Sequence, residues 1–390
     1  MVITGLESLK ENSQDIHGHV GYLCHPASVA SNFDHGIDLL KSLYGSRLKK
    51  LFAPQHGIFA DVQDNMVESD HFHHTHFDLP VYSLYSDTRK PTADMLEGLD
   101  HVLIDLQDVG TRVYTYIYTM IYMMEACGEL GVEVIILDRP NPIGGLAMEG
   151  NVLDFDFRSF IGRYELPMRH GMTMGEVGLI AKKYWGVDCE LRIAKMKGWT
   201  RDMYFAETGL PWILPSPNLP NPETASTFVG TVIFEGTNIS EGRGTTKSLE
   251  TVGHPAIANY QLLTQIQQEI KNQRLDGFVL RPTSFIPTFQ KHQGILCHGY
   301  QIHITDKSRF RPWLVGQLLN REFYHHLGEQ FAWKQPPYEY EEEILPIDIL
   351  NGTDRIRKWV EVNGSIEELR EIEMEKMDDF QNQRASVLIY

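Results

Sequence analysis

The sequence predicts an α/β protein with a parallel sheet flanked by helices in an N-terminal domain, followed by a second, smaller α+β domain. Short apolar runs rich in β-branched residues alternate with segments of helical periodicity in the first half of the chain. A proline-dense passage at residues 211–224 separates this half from a less regular remainder. The length of 390 residues also exceeds the size at which one hydrophobic core usually stops growing. We therefore expect domains at residues 1–222 and 223–390.

The first domain is predicted to contain alternating strands and helices. Strands are expected at residues 19–26, 49–54, 79–86, 101–108 and 132–138. Helices are expected at residues 33–44, 91–99 and 111–130, and a further helix and strand at 172–184 and 189–195. Parallel strands need long return connections, which such helices provide. A Rossmann-like sheet follows from this alternation.

The second domain is expected to combine a few strands with a helical end. Strands are predicted at residues 227–234, 278–281 and 300–305. Helices are predicted at residues 260–272, 312–326, 353–362 and 365–383. The acidic run at residues 339–343 has the composition of a solvated loop.

Composition excludes several classes of protein. Apolar residues make up 42% and charged residues 22%, which is ordinary for a chain that folds throughout. The 35 basic and 52 acidic residues give a formal charge of −17, which disfavours binding of nucleic acid. A small anionic substrate remains compatible with this charge, because salt screens distant charges beyond roughly 10 Å. The four cysteines occur singly, as buried thiols would, and indicate neither a zinc ribbon nor a disulfide framework.

Targeting and cofactor signals are absent from the sequence. No apolar run reaches the length of a membrane span, and the first residues lack a basic start followed by an apolar stretch. The expectation is a cytoplasmic protein, or a periplasmic or secreted one whose leader was removed. No strand is followed by a G-x-G-x-x-G motif, so no cofactor is predicted. The histidines at residues 71–76 have metal-like spacing but no second ligand cluster, and no metal site is predicted.

Polar residues crowd the carboxyl ends of three predicted strands, at residues 54–57, 105–112 and 138–142. Each cluster alone has an ordinary explanation: Asp108 could cap the following helix, and Asp138 with Arg139 could form a structural ion pair. In an open α/β sheet, however, ligands bind beyond the carboxyl ends of the strands. Three such clusters on one edge therefore predict a ligand-binding crevice.

Seven motifs in order resemble one known family. They are LFAPQHG, LPVYSLYSDTRKPT, DLQDVGTRVYTYIYTM, ILDRPNPIGG, MRHGMTMGE, PWILPSPNLP and FEGTNISEGRGTT. Together they resemble the NamZ-type exo-β-N-acetylmuramidases, from about residue 20 to about residue 260. The resemblance implies a Rossmann-like first domain and an interdomain cleft for the non-reducing end of peptidoglycan fragments. It also implies hydrolysis of a terminal β-N-acetylmuramic acid.

One position departs from the family pattern. The family's proposed catalytic carboxylate is the glutamate of a P-E-H-G motif, and Gln55 stands at the matching position. Glycoside hydrolysis normally needs an acid that protonates the leaving oxygen, and a glutamine cannot supply that proton. Two solutions are open. The substrate's own 2-acetamido oxygen could attack the anomeric carbon while Gln55 orients it. Alternatively, another carboxyl group could act as acid, with candidates Asp64, Glu68, Asp108, Glu176 and Glu241.

Other side chains are assigned by chemistry. Arg112 or Arg243 is expected to bind the lactyl carboxylate through paired hydrogen bonds. Asparagines suit sugar hydroxyls, tyrosines could flank the ring, and His56 could hold or move a proton. The predicted catalytic residues are Gln55, His56, Asp108 and Glu241. The predicted substrate-binding residues are Asp64, Asn65, Gln107, Arg112, Tyr114, Asp138, Arg139, Asn141, His170, Ser216, Asn218, Asn238 and Arg243.

Two other functions remain open at this point. A glycan-binding or sensing protein would keep the cleft and lose the acid, consistent with Gln55. Hydrolysis of another amino-sugar or acyl bond is a further alternative. In each case the partner is a small molecule or oligosaccharide.

Overall fold

The computed structural model describes residues 1–61, 63 and 67–390. The strands of its first domain are β1 (Val20–Cys24), β2 (Leu48–Ala53), β3 (Phe72–His74), β4 (Leu79–Ser83), β5 (His101–Asp105), β6 (Glu133–Leu137), β7 (Glu149–Val152), β8 (Pro167–Arg169) and β9 (Leu191–Ala194). Seven of them form one sheet in the order β3-β4-β2-β1-β5-β6-β9, while β7 and β8 pair separately. All pairings in the large sheet are parallel except that of the edge strand β3. The six parallel strands have the order of a doubly wound Rossmann-type sheet, which confirms the predicted fold class.

Helices cover both faces of this sheet. They are α1 (Gly5–Asn12), α2 (Gly36–Tyr44), α3 (Ala93–Leu96), α4 (Tyr116–Leu130), α5 (Met174–Tyr184) and α6 (Phe205–Thr208). Successive side chains of a strand point to opposite faces, so Tyr22 of β1 belongs to the cluster that contains Leu40 of α2. Its neighbour Leu23 belongs to the cluster that contains Ile117 of α4. Each such fully buried apolar side chain stabilises the fold by about 1.5–3 kcal/mol.

Helix α4 follows the predicted apolar stripe. The stripe residues Val113, Ile117, Met120, Ile121, Met124 and Cys127 are all buried. The helix ends at Leu130 because Gly131 adopts a left-handed conformation with φ 70°, and its N–H bonds back to the last turn. This helix begins directly after the polar residues that follow β5, so its packing fixes where they lie.

The second domain packs helices around a three-stranded antiparallel sheet. Its strands are β10 (Thr251–His254), β11 (Phe278–Phe285) and β12 (Cys297–Ile304), in the order β10-β12-β11. Its helices are α7 (Pro222–Thr231), α8 (Asn259–Asn272), α9 (Pro312–Leu327), α10 (Pro346–Asn351), α11 (Arg355–Glu361), α12 (Ile366–Met374) and α13 (Met377–Ala385). The predicted helix at residues 365–383 is thus two helices, separated at Lys376, where φ is 62°. In the described part of the chain, no helix is both long and apolar enough to cross a bilayer.

The strand predicted at residues 227–234 is wrong, because this stretch belongs to α7 and to the 3₁₀ turn Val232–Gly236. The β-branched run favoured a strand, but a stronger local signal precedes it. Asn221 caps the helix by accepting a hydrogen bond from the Thr224 N–H, and Pro222 occupies the first turn. Capping and burial of the whole helix outweigh the modest strand propensity of its residues.

The prediction of a solvated loop at residues 339–343 is wrong at its first residue. Glu339 is only 3% exposed, and the backbone turns it inwards through positive φ angles at Glu339 and Tyr340. Its neighbour Tyr338 is buried as well. Charge composition alone indicated solvent, but the flanking tyrosines anchor the segment in the protein, so a carboxyl group of the second domain reaches the first.

Candidate active site

A pocket of about 550 Å³, counted out to its open mouth, lies where the two domains meet. About 50 Å³ of this space is accessible to the centre of a water-sized sphere, so the enclosed part of the pocket is small. The first domain contributes polar side chains from Gln55, His56, Tyr114, Thr115, Ser216 and Asn218. The second contributes Glu235, Arg243, Tyr338 and Glu339. The pocket therefore joins residues that are far apart in sequence.

Gln55 lies in a tight turn directly after β2. The Gly57 N–H donates to the Pro54 carbonyl at 3.0 Å, and His56 and Gly57 both have positive φ angles, near 70°. The Gln55 side chain is 6% exposed, and its Oε1 accepts a hydrogen bond from the Thr115 hydroxyl at 2.7 Å. Because Thr115 holds the oxygen, the amide nitrogen is left for the hydrogen bond between Gln55 and the Glu339 carboxyl group.

Glu339 reaches the pocket from the second domain. Its Oε2 accepts a hydrogen bond from the Tyr85 hydroxyl at 3.0 Å. Burial raises the pKa of Glu339 to about 7, and the negative charge of Glu235 acts in the same direction. The hydrogen bonds from Tyr85 and Gln55 and the charge of Arg89 oppose this rise. The result is a carboxyl group that is half protonated near neutral pH.

Arg89 holds the segment of Glu339 against the first domain. Its guanidinium lies 4.5 Å from the centroid of the Tyr85 ring and 3.9 Å from that of Tyr340. The same guanidinium donates to Glu68 at 3.2 Å. Cation–π contacts of this kind contribute about 0.5–2 kcal/mol each. One cation thus contacts both the ring of Tyr85, which donates to Glu339, and the ring of Tyr340, which follows Glu339 in the chain.

Glu235 has different surroundings. Its Oε2 accepts from the Tyr338 hydroxyl at 2.6 Å, and its Oε1 accepts from Arg243 Nη2. Arg243 also donates through Nε to Glu241 at 2.9 Å, and Lys291 lies 2.6 Å from the other Glu241 oxygen. Burial by itself would lower the pKa of Arg243, but the charges of Glu235 and Glu241 raise it above its ordinary range. Two carboxylates and two cations thus form one buried network.

Glu241 belongs to the far side of this network. Burial alone would raise its pKa, but Lys291 and Arg243 lower it below the ordinary value. A carboxylate held ionised in this way cannot donate a proton near neutral pH. Glu241 lies behind Arg243 rather than on the lining of the pocket.

The structure brings Gln55, His56, Tyr114, Ser216, Asn218 and Arg243 of the predicted site together in this pocket. The Asn218 amide is partly used within the protein, since it donates to the Gln63 carbonyl at 3.0 Å and its oxygen accepts from Ser248 at 3.3 Å. Asp64 and Asn65 lie outside the described residues.

Several predicted residues at the carboxyl ends of β5 and β6 turn into the protein instead. Asp108 accepts from the Gly110 N–H at 2.7 Å, with His170 Nε2 at 3.4 Å on the same oxygen. The Gln107 amide donates to two backbone carbonyls, at 2.8 and 2.9 Å. Asn141 accepts from the N–H of Ile143 and donates to the carbonyl of Met172. These side chains satisfy buried backbone groups and do not line the pocket.

The ion pair considered between Asp138 and Arg139 is wrong in its partner, because Arg139 pairs with Asp105 instead. One nitrogen–oxygen distance between Arg139 and Asp105 is 2.9 Å. Asp138 accepts hydrogen bonds from Thr173, from the Gly175 N–H and from Tyr390, at 2.7–2.8 Å. Both side chains are buried in the N-terminal domain, away from the pocket.

Arg112 fastens the two domains to each other. Its guanidinium is fully buried and donates to the carbonyls of Asn151, Leu166, Leu350 and Asn351, at 2.8–3.1 Å. Burial lowers its pKa to about 10. Four of its donor N–H groups are used by backbone, so of the two arginines proposed for the lactyl carboxylate only Arg243 lines the pocket.

The remaining candidates also lie elsewhere. Asn238 bonds to the backbone of Gln330 and Ala332, outside the pocket. Glu176 caps α5 and pairs with Arg201, while Glu68 pairs with Arg89 near the surface. Among the residues that the structure describes, no group of three or more His, Cys, Asp or Glu side chains is arranged to hold a metal ion.

Sequence reasoning missed the two carboxyl groups that line the pocket. Glu235 stands in the motif FEGTN, part of the last of the seven motifs that carry the family resemblance. Glu339 lies in an acidic run whose composition predicts exposure to solvent. The signal that could have found it is its immediate context, since Pro336, Pro337 and Tyr338 precede it and a freely solvated loop seldom places large aromatic groups on both sides of a carboxylate.

Two domains that meet at a small pocket with two buried carboxyl groups define the class of the protein: an α/β protein whose pocket is lined by the residue type that most glycoside hydrolases use. The family description "exo-β-N-acetylmuramidase NamZ, N-terminal" matches residues 20–223, and its C-terminal counterpart matches residues 226–390. The chain belongs to the NamZ family of exo-β-N-acetylmuramidases, a family of glycosidases, as the motifs predicted.

Individual relatives agree with this assignment. The peptidoglycan β-N-acetylmuramidase NamZ of Bacillus subtilis (strain 168) is 38% identical, over 100% of this chain and 91% of that protein. Two crystal structures of DUF1343 family proteins from Bacteroides fragilis NCTC 9343 are similar in fold. One is 30% identical with a TM-score of 0.89, the other 27% identical with a TM-score of 0.77. Each alignment covers 100% of this chain and 99% of the other.

Proposed function

We propose that this protein hydrolyses the glycosidic bond of a terminal β-N-acetylmuramic acid at the non-reducing end of peptidoglycan fragments. The observation that carries the proposal is the presence of two buried carboxyl groups with different surroundings in one pocket where the two domains meet. Glu235 is paired with a guanidinium, whereas Glu339 is bonded to neutral groups. Environments that separate two carboxyl groups in this way are typical of glycosidases, where one stays ionised and one carries a proton.

Arg243 is the group best placed to recognise the lactyl carboxylate. Its Nε and Nη2 bond to Glu241 and Glu235, which fix the plane of the guanidinium, and Nη1 takes part in neither bond. Because two carboxylates already balance its charge, Arg243 would act on the lactyl group mainly as an oriented hydrogen-bond donor. Ser216 and Asn218 line the same pocket and suit the sugar's hydroxyl and acetamido groups.

A glycan-binding protein without turnover is the second candidate, and Gln55 is the observation that favours it. This function would need the same pocket and the same contacts with the sugar. It would not need a carboxyl group that is protonated near neutral pH, and the surroundings of Glu339 therefore favour the hydrolase.

The proposed function is tested by incubating the protein with the disaccharide β-N-acetylmuramyl-1,4-N-acetylglucosamine and detecting free N-acetylmuramic acid by mass spectrometry. Chitobiose, which lacks the lactyl ether, is the matched control substrate. Release of the sugar from the first substrate and little from the second is expected. Binding of the disaccharide in calorimetry without any release would instead identify a glycan-binding protein.

A further inference from the structure

The missing proton donor is the unsolved part of the proposed reaction. The leaving alkoxide of a sugar is strongly basic, and its departure near neutral pH needs a proton from a positioned acid. The side chain at position 55 is an amide, which has no acidic proton in this range. Any proton donor must therefore be another group that lines the same pocket. The inference below rests on the proposed function.

Among the described residues, the carboxyl groups that line the pocket are those of Glu235 and Glu339. Glu235 has one oxygen on Arg243 and the other on the Tyr338 hydroxyl, so both of its oxygens are engaged as acceptors. Glu235 is therefore engaged in its bonds with Arg243 and Tyr338. The hydrogen-bond donors that act on Glu339 include two neutral groups, the Tyr85 hydroxyl and the Gln55 amide.

The surroundings of Glu339 suit an acid that must both hold and release a proton. Burial and the nearby charge of Glu235 favour the protonated form, while the Tyr85 hydroxyl and the Gln55 amide stabilise the carboxylate that remains after donation. Arg89 adds a positive charge at longer range. Tyr338 of the second domain is a further titratable neighbour, and burial raises the pKa of its hydroxyl, as do the charges of Glu235 and Glu339. With a pKa of about 7, both forms are populated near neutral pH.

We propose that Glu339 is the general acid of this enzyme and that Gln55 is a positioning residue that fixes the orientation of the Glu339 carboxyl group. Thr115 holds the Gln55 oxygen, so the amide presents its N–H₂ group to Glu339. The amide therefore does not compete with Glu339 for a proton, as a second carboxyl group at position 55 would. The proposed acid, Glu339, therefore belongs to the second domain. Its segment is held against the first domain by the contact between Arg89 and Tyr340.

The proton on Glu339 is transferred to the glycosidic oxygen, and the bond between that oxygen and the anomeric carbon breaks with its electron pair moving to the oxygen. The aglycone leaves as a neutral alcohol, and Glu339 becomes a carboxylate. One water adds its oxygen to the anomeric carbon, and the proton that this water loses restores the neutral Glu339, directly or through solvent. The net change is the addition of one water across the glycosidic bond.

The test uses leaving groups of different basicity with the full-length Glu339→Gln variant. On the natural disaccharide, the variant should lose about 10²–10⁴-fold in kcat, the usual contribution of general acid catalysis. On a 2,4-dinitrophenyl β-N-acetylmuramide, whose leaving group needs no proton, we expect a loss of less than about tenfold. The fall of wild-type kcat/KM above about pH 7 on the natural disaccharide should be absent from the residual activity of the variant on the same substrate.

Glu342→Gln is the matched control, because Glu342 is exposed in the same acidic run. It should keep wild-type rates on both substrates. Glu339→Asp keeps a carboxyl group on a shorter side chain, so this variant should retain the pH dependence of kcat/KM with a reduced kcat. It serves as the test if the Glu339→Gln variant does not fold. Equal losses of Glu339→Gln on both substrates would show a structural role and overturn the assignment. Wild-type protein that cleaves neither substrate would instead overturn the proposed function.

Discussion

Replacing Glu339 by glutamine removes a buried titratable group while keeping the size of the side chain and most of its hydrogen-bonding capacity. In the folded protein the pKa of this group is about 7, against an ordinary value of 4.5. A raised pKa means that the folded state holds the proton more tightly than the unfolded state. The stabilisation associated with this proton is therefore complete below pH 4.5 and is lost as pH rises through 7. The total loss is about 3 kcal/mol, most of it between pH 5 and pH 7.

The assay is urea unfolding of wild type and of Glu339→Gln at a series of pH values from 5 to 8.5. The wild type should lose stability relative to the variant as pH rises, with a slope that does not exceed about 1.4 kcal/mol per pH unit, the limit for one proton. Other titrating groups are common to both proteins and cancel in the difference. A difference that stays constant with pH would show that Glu339 is not buried as a protonated acid, and the explanation of its pKa would fail.

Three further variants test separate parts of the site. Tyr85→Phe removes a hydrogen bond to the Glu339 carboxylate, so the alkaline limb of kcat/KM should move upward by roughly 0.5–1 pH unit; an unchanged limb would contradict the assignment. Arg112→Met leaves four buried carbonyls without a donor, and chemical unfolding should show a loss of at least about 3 kcal/mol; a loss below about 1 kcal/mol would mean that water replaces the guanidinium. Arg243→Lys should raise KM for the muramyl disaccharide about tenfold in initial-rate assays, because an ammonium cannot keep the bonds to Glu235 and Glu241 and also present an oriented N–H to the lactyl carboxylate, and an unchanged KM would place that carboxylate elsewhere.

The parallel sheet could be predicted because its strands are continuous apolar runs. β1, β5 and β6 are buried on both faces, so no competing polar pattern obscured them. Helix α4 was predictable for a similar reason, since its stripe has helical spacing and a glycine ends it. The strand predicted at residues 227–234 is wrong because β-branched residues in a fully buried helix give the same sequence pattern as a strand when the helix cap is not considered.

The site was predictable only in part. Position in sequence after a strand places a residue near the carboxyl edge of the sheet, which is correct for Gln55 and for Asp108. It does not determine whether the side chain then points outwards or back into the protein, and Asp108 points back because the Gly110 N–H needs an acceptor. The contact between Gln55 and Glu339 joins two domains, and no periodicity in the sequence encodes a contact at that separation.

The most direct test of the central claim is a crystal structure with a non-hydrolysable thioglycoside of the muramyl disaccharide in the pocket. We expect the lactyl carboxylate at Arg243 and a Glu339 oxygen within about 3 Å of the atom in the glycosidic position, the reach that proton transfer requires. A different carboxyl group at that distance, or none, would contradict the account.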